Sequence, residues 1–583
     1  MLPLLVLGAV ITAVAVAYGS WRLGDALAGV DQAVPPNPVE AFIDLARHRL
    51  VWPMTATIIA AVMALVVVVL GVVVAARRGR RSRIDVAAAR MAAPRRGDLR
   101  AARKEAQRLR PGTKLSRPDD YGIEVGRTVI GGHPVRMSWE DVGVVIAGPR
   151  MGKTKSVGIR AVCAAPGAVA ATSNKGDLHD HTRGVREALG TVWNSDLQGV
   201  TEAPGAQWWW NPLAGITSPA PARRLAGHFV SASTDESARV DAYFDGGARE
   251  LLALHLLAAA VGGGDMLHTL AWLSDDDSPV PVKILANAGQ PAAADAIRRA
   301  QKLNPRQKDG LFDMARRYLT VLTEPAYAQS VTPPRRRVFD GDDSALATAG
   351  LTHTLPEFDP VAFVSSTETL YAHSKEGPDS AAALTTALMG CVLDAAQAAA
   401  RRSPGRRLPT PLVVVLDEAA NICKLAELPQ QYSHFGSQGI VVLTFLQSPA
   451  QAVGVWGQTQ FDALRSAANM HMFGGNVDDD DYKESISRQI GDYDVSRWSA
   501  STGRGPGGGG RSQSWSSEAI LPLSDLGGEV TKDRGIVMTS GRSPVVVRKV
   551  FWQDSPYAEE IRASLAVYDP GAAGAGPEGA VSA

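Results

Sequence analysis

The chain has 583 residues, enough for several domains and a large buried core. Lys and Arg total 60 against 59 Asp and Glu, so the net charge of +1 selects no class of partner, while 45% apolar and 20% charged residues describe a globular chain rather than a disordered one. The three cysteines, Cys163, Cys391 and Cys423, are odd in number and lack Cys-x-x-Cys spacing, which excludes a disulfide scaffold and a zinc ribbon and favours a reducing cytosolic setting.

Residues 1–21 are uncharged and mostly apolar. A cleaved signal peptide would carry a basic segment ahead of the apolar stretch, and none is present, so a retained membrane span is expected. Residues 54–76 form a second uncharged run, rich in Val, Ala, Leu and Ile, and a spanning helix needs about 20 such residues. Arg77, Arg78, Arg80, Arg81 and Arg83 follow it directly, which marks the cytoplasmic side. The expectation is a two-span hairpin anchor with residues 22–51 outside and the bulk of the chain in the cytoplasm, at the plasma membrane. Between Arg77 and Arg110 there are 13 Lys and Arg against three acids, a composition suited to anionic membrane lipids, with nucleic-acid contact as the alternative.

A short run of small and β-branched residues at 142–147 predicts a buried strand. It leads into Ala147, Gly148, Pro149, Arg150, Met151, Gly152, Lys153 and Thr154, with Lys155 opening a predicted helix to about residue 165. This is a phosphate-binding loop in which Ala147 stands where the pattern normally has Gly. Backbone N–H groups around Gly152 curl round a β-phosphate, Lys153 places a cation on the β- and γ-oxygens, and the Thr154 hydroxyl ligates Mg²⁺. The cofactors expected are therefore ATP and Mg²⁺.

Farther along, Asp177, His179 and His181 have a spacing compatible with a metal, although a polar helix N-terminus explains them as well. Trp208, Trp209 and Trp210 could stack bases or simply pack. Residues 238–261 and 292–322 read as helices, the second broken at Pro305 and carrying Arg298, Arg299, Lys302, Arg306, Lys308, Arg316 and Arg317; a loop is expected at residues 275–277.

Residues 412–416 predict a second buried strand, with Asp417 and Glu418 at its end. Asp417 is expected to hold Mg²⁺ and Glu418 to polarise the attacking water as general base. A third strand at 440–446 ends in Gln447, placed to sense the γ-phosphate or that water. The predicted catalytic group is thus Lys153, Glu418 and Gln447. Residues 478–481 place acids before a helix at 482–490, residues 503–511 read as a flexible glycine-rich loop, and runs at 536–538 and 545–550 predict a closing hairpin.

In order and spacing, these motifs resemble a type IV secretion coupling protein of the TraG/TraD type, a conjugative DNA-transfer ATPase. The resemblance covers most of the chain. It rests on the two apolar runs, the loop 147–154, the Thr-Ser-Asn-Lys-Gly-Asp-Leu run at 172–178 with Thr182 and Arg186 behind it, and Asn-Pro-Leu at 211–213. The strand starting at Thr369, Leu-Asp-Glu-Ala-Ala-Asn at 416–421 and Leu-Gln-Ser at 446–448 complete it. It implies an α/β fold, a RecA-like P-loop NTPase domain with an all-helical insertion, anchored by two N-terminal transmembrane helices. The boundaries expected are an anchor at 1–76, a basic linker at 77–120, the nucleotide-binding domain at 121–216 and 346–568, the insertion at 217–345, and a tail without core-forming capacity at 569–583.

The resemblance further implies a homo-hexamer that passes single-stranded DNA with its bound relaxase, or protein, to the proteins of a type IV secretion channel. Two other readings stay open: an FtsK/TraB-like double-stranded DNA translocase, for whose terminal winged helix the 32 residues after Phe551 are too few, and a docking receptor that binds nucleotide with little hydrolysis. The receptor reading draws on one departure. The family carries an arginine shortly before the sensor glutamine, and none lies between Glu418 and Gln447; Arg183, Arg186, Arg249 and Arg465 are the candidate substitutes.

Overall fold

The structure is a computed structural model that describes residues 2–571 apart from 30–31, 78–81, 92–97, 202–203, 234–241, 343–345, 347–352, 378–379 and 503–508. The chain forms two compact units, Met1–Ser82 and Arg83–Ala583. The tail beyond residue 571, the centre of the glycine-rich segment and several arginines of the basic linker lie outside the described residues.

The first unit consists of helices Leu2–Ala28, Pro38–Ala46 and Met54–Arg77. The long two pack closely: a methyl on Gly24 would stand 2.5 Å from the Ala56 Cα, so only glycine lets the backbones approach this far. Trp21 is fully buried with Ala41 and Ala56, and its indole N–H donates to the Val51 carbonyl at 3.2 Å. Elsewhere on the third helix Met54, Ile58, Val62, Met63, Leu65, Val66, Val67, Val68 and Val69 are exposed. Among the described residues, the helix long and apolar enough to cross a membrane is Ala382–Arg402, and it is mostly buried as a core helix of the second unit; 54–69 is a shorter apolar stretch.

The second unit is built on strands β1 (Ile123–Thr128), β2 (Pro134–Met137), β3 (Gly143–Ile146), β4 (Val169–Ser173), β5 (Val192–Ser195), β6 (Thr369–His373), β7 (Leu412–Leu416), β8 (Ile440–Leu446), β9 (Met470–Phe473), β10 (Asp492–Thr502), β11 (Gly509–Ala519), β12 (Arg534–Thr539) and β13 (Val545–Arg548). Eleven of them make one sheet in the order β2-β1-β13-β12-β9-β3-β8-β7-β4-β6-β5. From β9 to β5 the strands are parallel; from β12 to β2 they are antiparallel. Strands β3, β7 and β8 are buried at every position, as their uninterrupted Val, Ile and Leu runs require once helices cover both faces. The predicted strands and the closing hairpin are therefore present.

Between β5 and β6 the described elements are helices, apart from an isolated bridge of Trp209 with Glu357. They include Pro219–Ser233, Ala242–Gly262, Met266–Ser274, Pro291–Gln301 and Pro305–Arg317. Pro305 interrupts the basic run as expected because it takes the first helical position, where its missing N–H costs nothing, behind the cap Asn304. Much of the basic face is paired locally: Arg316 and Arg317 with Asp313, Lys308 with Asp276 and Asp277. Trp208, Trp209 and Trp210 are buried, and the Trp208 indole donates to the Asn194 carbonyl at 2.8 Å; packing, not base stacking, explains them.

Of the glycine-rich segment expected as a loop at 503–511, residues 503–508 lie outside the described residues and 509–511 belong to a strand. The flanks of the segment pair as an antiparallel ribbon, β10 with β11, from Asp492 opposite Ala519 to Thr502 opposite Gly509. The serine-rich strands carry too few apolar residues for alternation to reveal them.

Candidate nucleotide site

The sheet brings the predicted groups together at the C-terminal ends of its parallel strands, where doubly wound sheets bind ligands. β8 lies between β3 and β7, so the ends of all three strands stand side by side. Lys153 Nζ lies 2.9 Å from Glu418 Oε1, the Thr154 hydroxyl donates to Asp417 Oδ2 at 2.8 Å, and the Gln447 amide donates to Glu418 Oε2 at 2.8 Å. Lys153, Asp417 and Glu418 are buried; Met151, Gly152 and Thr154 are half-buried; Pro149, Arg150 and Lys155 are exposed.

The loop itself is shaped by positive φ at Arg150 (61°) and Gly152 (74°). A methyl on Gly152 would meet the Phe551 ring at 2.7 Å, and one on Gly148 would fall 1.8 Å from the Asn476 carbonyl oxygen. Ala147, the departure from the usual pattern, has a physical reason. Its methyl fills the space facing Gly474 at the end of β9, where a second Cβ would stand only 2.5 Å away. After the loop the first turn is a π-helix, Thr154–Gly158, before the α-helix Ile159–Ala164, a widened turn that often marks functional positions.

Glu418 occupies the left-handed region (φ 55°, ψ 42°), a conformation costing on the order of 1 kcal/mol for a non-glycine residue and concentrated at functional sites. Asp417 Oδ1 is buried with no hydrogen-bond partner. Burial raises the Asp417 carboxyl to a pKa of about 6, with Lys153 opposing and Glu418 adding to the rise. A buried carboxylate oxygen left orphaned beside a threonine hydroxyl is a fitting donor set for a hard divalent cation such as Mg²⁺.

Further groups beside this site escaped the motif reading. Glu376, beyond the tip of β6, accepts from the Asn174 amide at 3.0 Å and from the Asn421 amide at 2.8 Å, linking the ends of β4 and β6 to the turn after Glu418. An acid after a buried strand is the signal that identified Asp417, and it would have identified Glu376. With Asn421 and Lys424, it lines a cleft of about 1180 Å³ that is also lined by Arg317, Tyr318 and Glu324 of the helical segment.

The metal alternative at Asp177, His179 and His181 is not supported: Asp177 opens helix Asp177–Glu187, its carbonyl bonds the His181 ring, and His179 Nδ1 lies 2.8 Å from Asp180. No cluster of three or more His, Cys, Asp or Glu side chains suited to a metal occurs among the described residues, and Asp479 of the acidic run caps helix Asp480–Ile490. Among the candidate arginines, Arg186 must be corrected. It is fully buried and donates to the carbonyls of Ala165, Gly167 and Thr367 and to the Thr369 hydroxyl, so it cannot reach a neighbouring subunit. Arg183 is engaged by Glu187 and the Tyr568 ring, and Arg465 by Ser485 and the Tyr482 ring; Arg249 is exposed on the helical segment.

Residues 411–528 match the family model described as the TraM recognition site of TraD and TraG. Among solved structures, the chain is similar to the bacterial conjugative coupling protein TrwB in an unbound form, with a TM-score of 0.51 and 16% identity over 78% of this chain and 94% of that one. TrwB in complex with ADP and Mg²⁺ matches at 0.50 and 14%, over 76% and 91%. TrwB with the non-hydrolysable ATP analogue ADPNP matches at 0.50 and 14%, over 76% and 92%. At these identities the likeness is one of fold. No curated protein matches the sequence. The family-model match is confined to residues 411–528, and what the chain shares with TrwB is the mixed α/β fold.

Proposed function

We propose that the chain is a membrane-anchored ATPase that recruits and moves substrate, single-stranded DNA with its relaxase or protein, toward a type IV secretion channel. The observation that carries this reading is the convergence of Lys153, Thr154, Asp417, Glu418 and Gln447, from three strand ends that are distant in sequence. TrwB, whose fold this chain shares, has been solved with ADP and Mg²⁺, and the matched family model describes a TraM recognition site, which favours a relaxosome protein as partner.

Each side chain has a part in hydrolysis. A triphosphate entering the cradle draws the Lys153 ammonium from Glu418 to the β- and γ-oxygens. Glu418, released on one side, stays oriented by Gln447 and accepts the proton of the attacking water. Thr154 and Asp417 would hold Mg²⁺, which neutralises charge developing on the phosphates. Glu376 and Asn421 tie Glu418 to the cleft that borders the helical insertion, a route by which the nucleotide state reaches the cargo side.

The outward apolar side chains of helix Met54–Arg77 favour a lipid-facing anchor, with the Arg run on the cytoplasmic side beside anionic lipids. A homo-hexamer would place a neighbour's arginine at each site. With Arg186 buried, Arg249 is the exposed candidate among the four; a chain without a working finger would act instead as the docking receptor. The test is phosphate release by the full-length chain with and without single- and double-stranded DNA. Stimulation by single strands supports the coupling role and stimulation by duplex alone supports a double-stranded DNA pump. Equal substrate transfer in cells by wild type and Glu418→Gln would overturn the pump in favour of the receptor.

A further inference from the structure

The antiparallel half of the sheet delivers a buried cation to the back of the phosphate loop. Lys549, just past β13, is 3% exposed, and its ammonium donates to the Met151 carbonyl at 2.9 Å and to the Gly474 carbonyl at 2.8 Å. Gly535 lies beside the lysine stem: a methyl there would touch Lys549 Cε at 3.6 Å, an ordinary contact, and crowd Met472 Cε at 2.6 Å. Among the described residues no carboxylate lies within ion-pair distance of Lys549; Asp533, whose carbonyl accepts the Lys549 backbone N–H at 2.9 Å, is the charged group that acts on it. A buried ammonium is costly, and a methionine would fill the same channel without that cost, so the charge calls for a reason.

The reason lies in the peptide it holds. A trans peptide is planar, with its carbonyl and its N–H on opposite sides. Among the described residues every peptide is trans, so the carbonyl of Met151 drawn toward Lys549 turns the N–H of Gly152 the other way. That N–H belongs to the turn that receives a β-phosphate. The second bond, to Gly474, fixes Lys549 to the same strand end that accommodates the Ala147 methyl and whose Gly475 carbonyl accepts the Gly148 N–H at 3.0 Å. We propose that Lys549 is a positioning residue that sets nucleotide affinity by aiming the Gly152 N–H into the phosphate cradle.

The proposal rests on the nucleotide site proposed above and adds a pH dependence to it. Burial lowers the Lys549 pKa to about 8, with Asp533 opposing. Below that value the ammonium holds the loop; as pH rises through it the charge-assisted bonds are lost and affinity falls. The experiment is a calorimetric titration of the full-length chain in detergent micelles with Mg²⁺ and ADPNP from about pH 7.0 to 9.5, for wild type and Lys549→Met. Expected are about 10-fold weaker binding by Lys549→Met at the low end and a comparable weakening of wild type across the range, with the variant flat over it. Equal affinity of variant and wild type, or parallel pH profiles, overturns the proposal. Should Lys549→Met fail to fold, the wild-type profile decides alone, and a constant affinity across that range overturns it. Absence of any wild-type binding is a different result, which removes the nucleotide site itself.

Discussion

The parallel strands carry Lys153, Thr154, Asp417, Glu418 and Gln447 to one row of strand ends, whereas the antiparallel strands bring Lys549 and Phe551 up behind the loop. In the first region the groups proposed to face phosphate sit at the tips of their strands. In the second, the groups that hold the loop's shape come from the far end of the chain and face its backbone. Chemistry and the geometry it depends on are thus supplied by two halves of one sheet, and substitutions in the two should fail differently.

The largest expected effect lies in the parallel half. Glu418→Gln removes the proposed proton acceptor and Lys153→Ala the proposed phosphate cation, and each is expected to lower phosphate release by about 10³-fold while unfolding temperature stays within a few degrees. Next comes the contact between the halves. Arg160, on the helix after the loop, and Arg136 of β2 bind Asp119 and Glu124 in a buried network of four charges, with distances of 2.8 to 3.1 Å. Arg160→Met leaves Asp119 and Glu124 to Arg136 with one positive charge too few, and a denaturant titration should show a loss of about 3 kcal/mol. An unchanged midpoint would mean that the two halves are held together by apolar packing alone.

A smaller effect is expected outside both halves. Asp265 caps helix Met266–Ser274 in the insertion and is paired with Arg336 at 2.6 Å. Burial alone would raise its pKa, but bonds from His268 and Arg336 outweigh that and hold the carboxyl at about 2. Because the folded value lies below the unfolded one, its contribution is complete above about pH 4 and lost as pH falls toward 2. Asp265→Asn should cost about 2 kcal/mol at pH 7 and little at pH 2, measured by circular dichroism melts, with turnover per folded molecule unchanged.

Much of the parallel half was legible in the sequence for a physical reason. β3, β7 and β8 are buried on both faces, so they read as runs of mainly apolar residues; β7 and β8 end in polar residues that have no place in a core, and β3 runs into the glycine-bearing loop. The antiparallel half was less legible because its burial is ionic. β1 contains Glu124 and Arg127, which look like solvated residues until Arg136 and Arg160 are placed beside them by the fold. Lys549 gave no signal, since one lysine in a valine-rich strand looks like an exposed one. Arg186 misled in the opposite sense: an arginine behind a motif resembled a free finger, whereas three carbonyls and a hydroxyl fix it as a brace between the ends of β4 and β6.

The pairing of Ala147 with Gly474 ties together two positions distant in sequence. The gap between the two strand ends holds one carbon, and the backbone is indifferent to which side donates it. Positions 147 and 474 therefore form one steric unit in this chain, and Ala147→Gly combined with Gly474→Ala should recover the stability that Gly474→Ala alone loses. Whichever of the two strand ends carries the methyl, the other has to be glycine, so neither position can be varied alone without moving the loop.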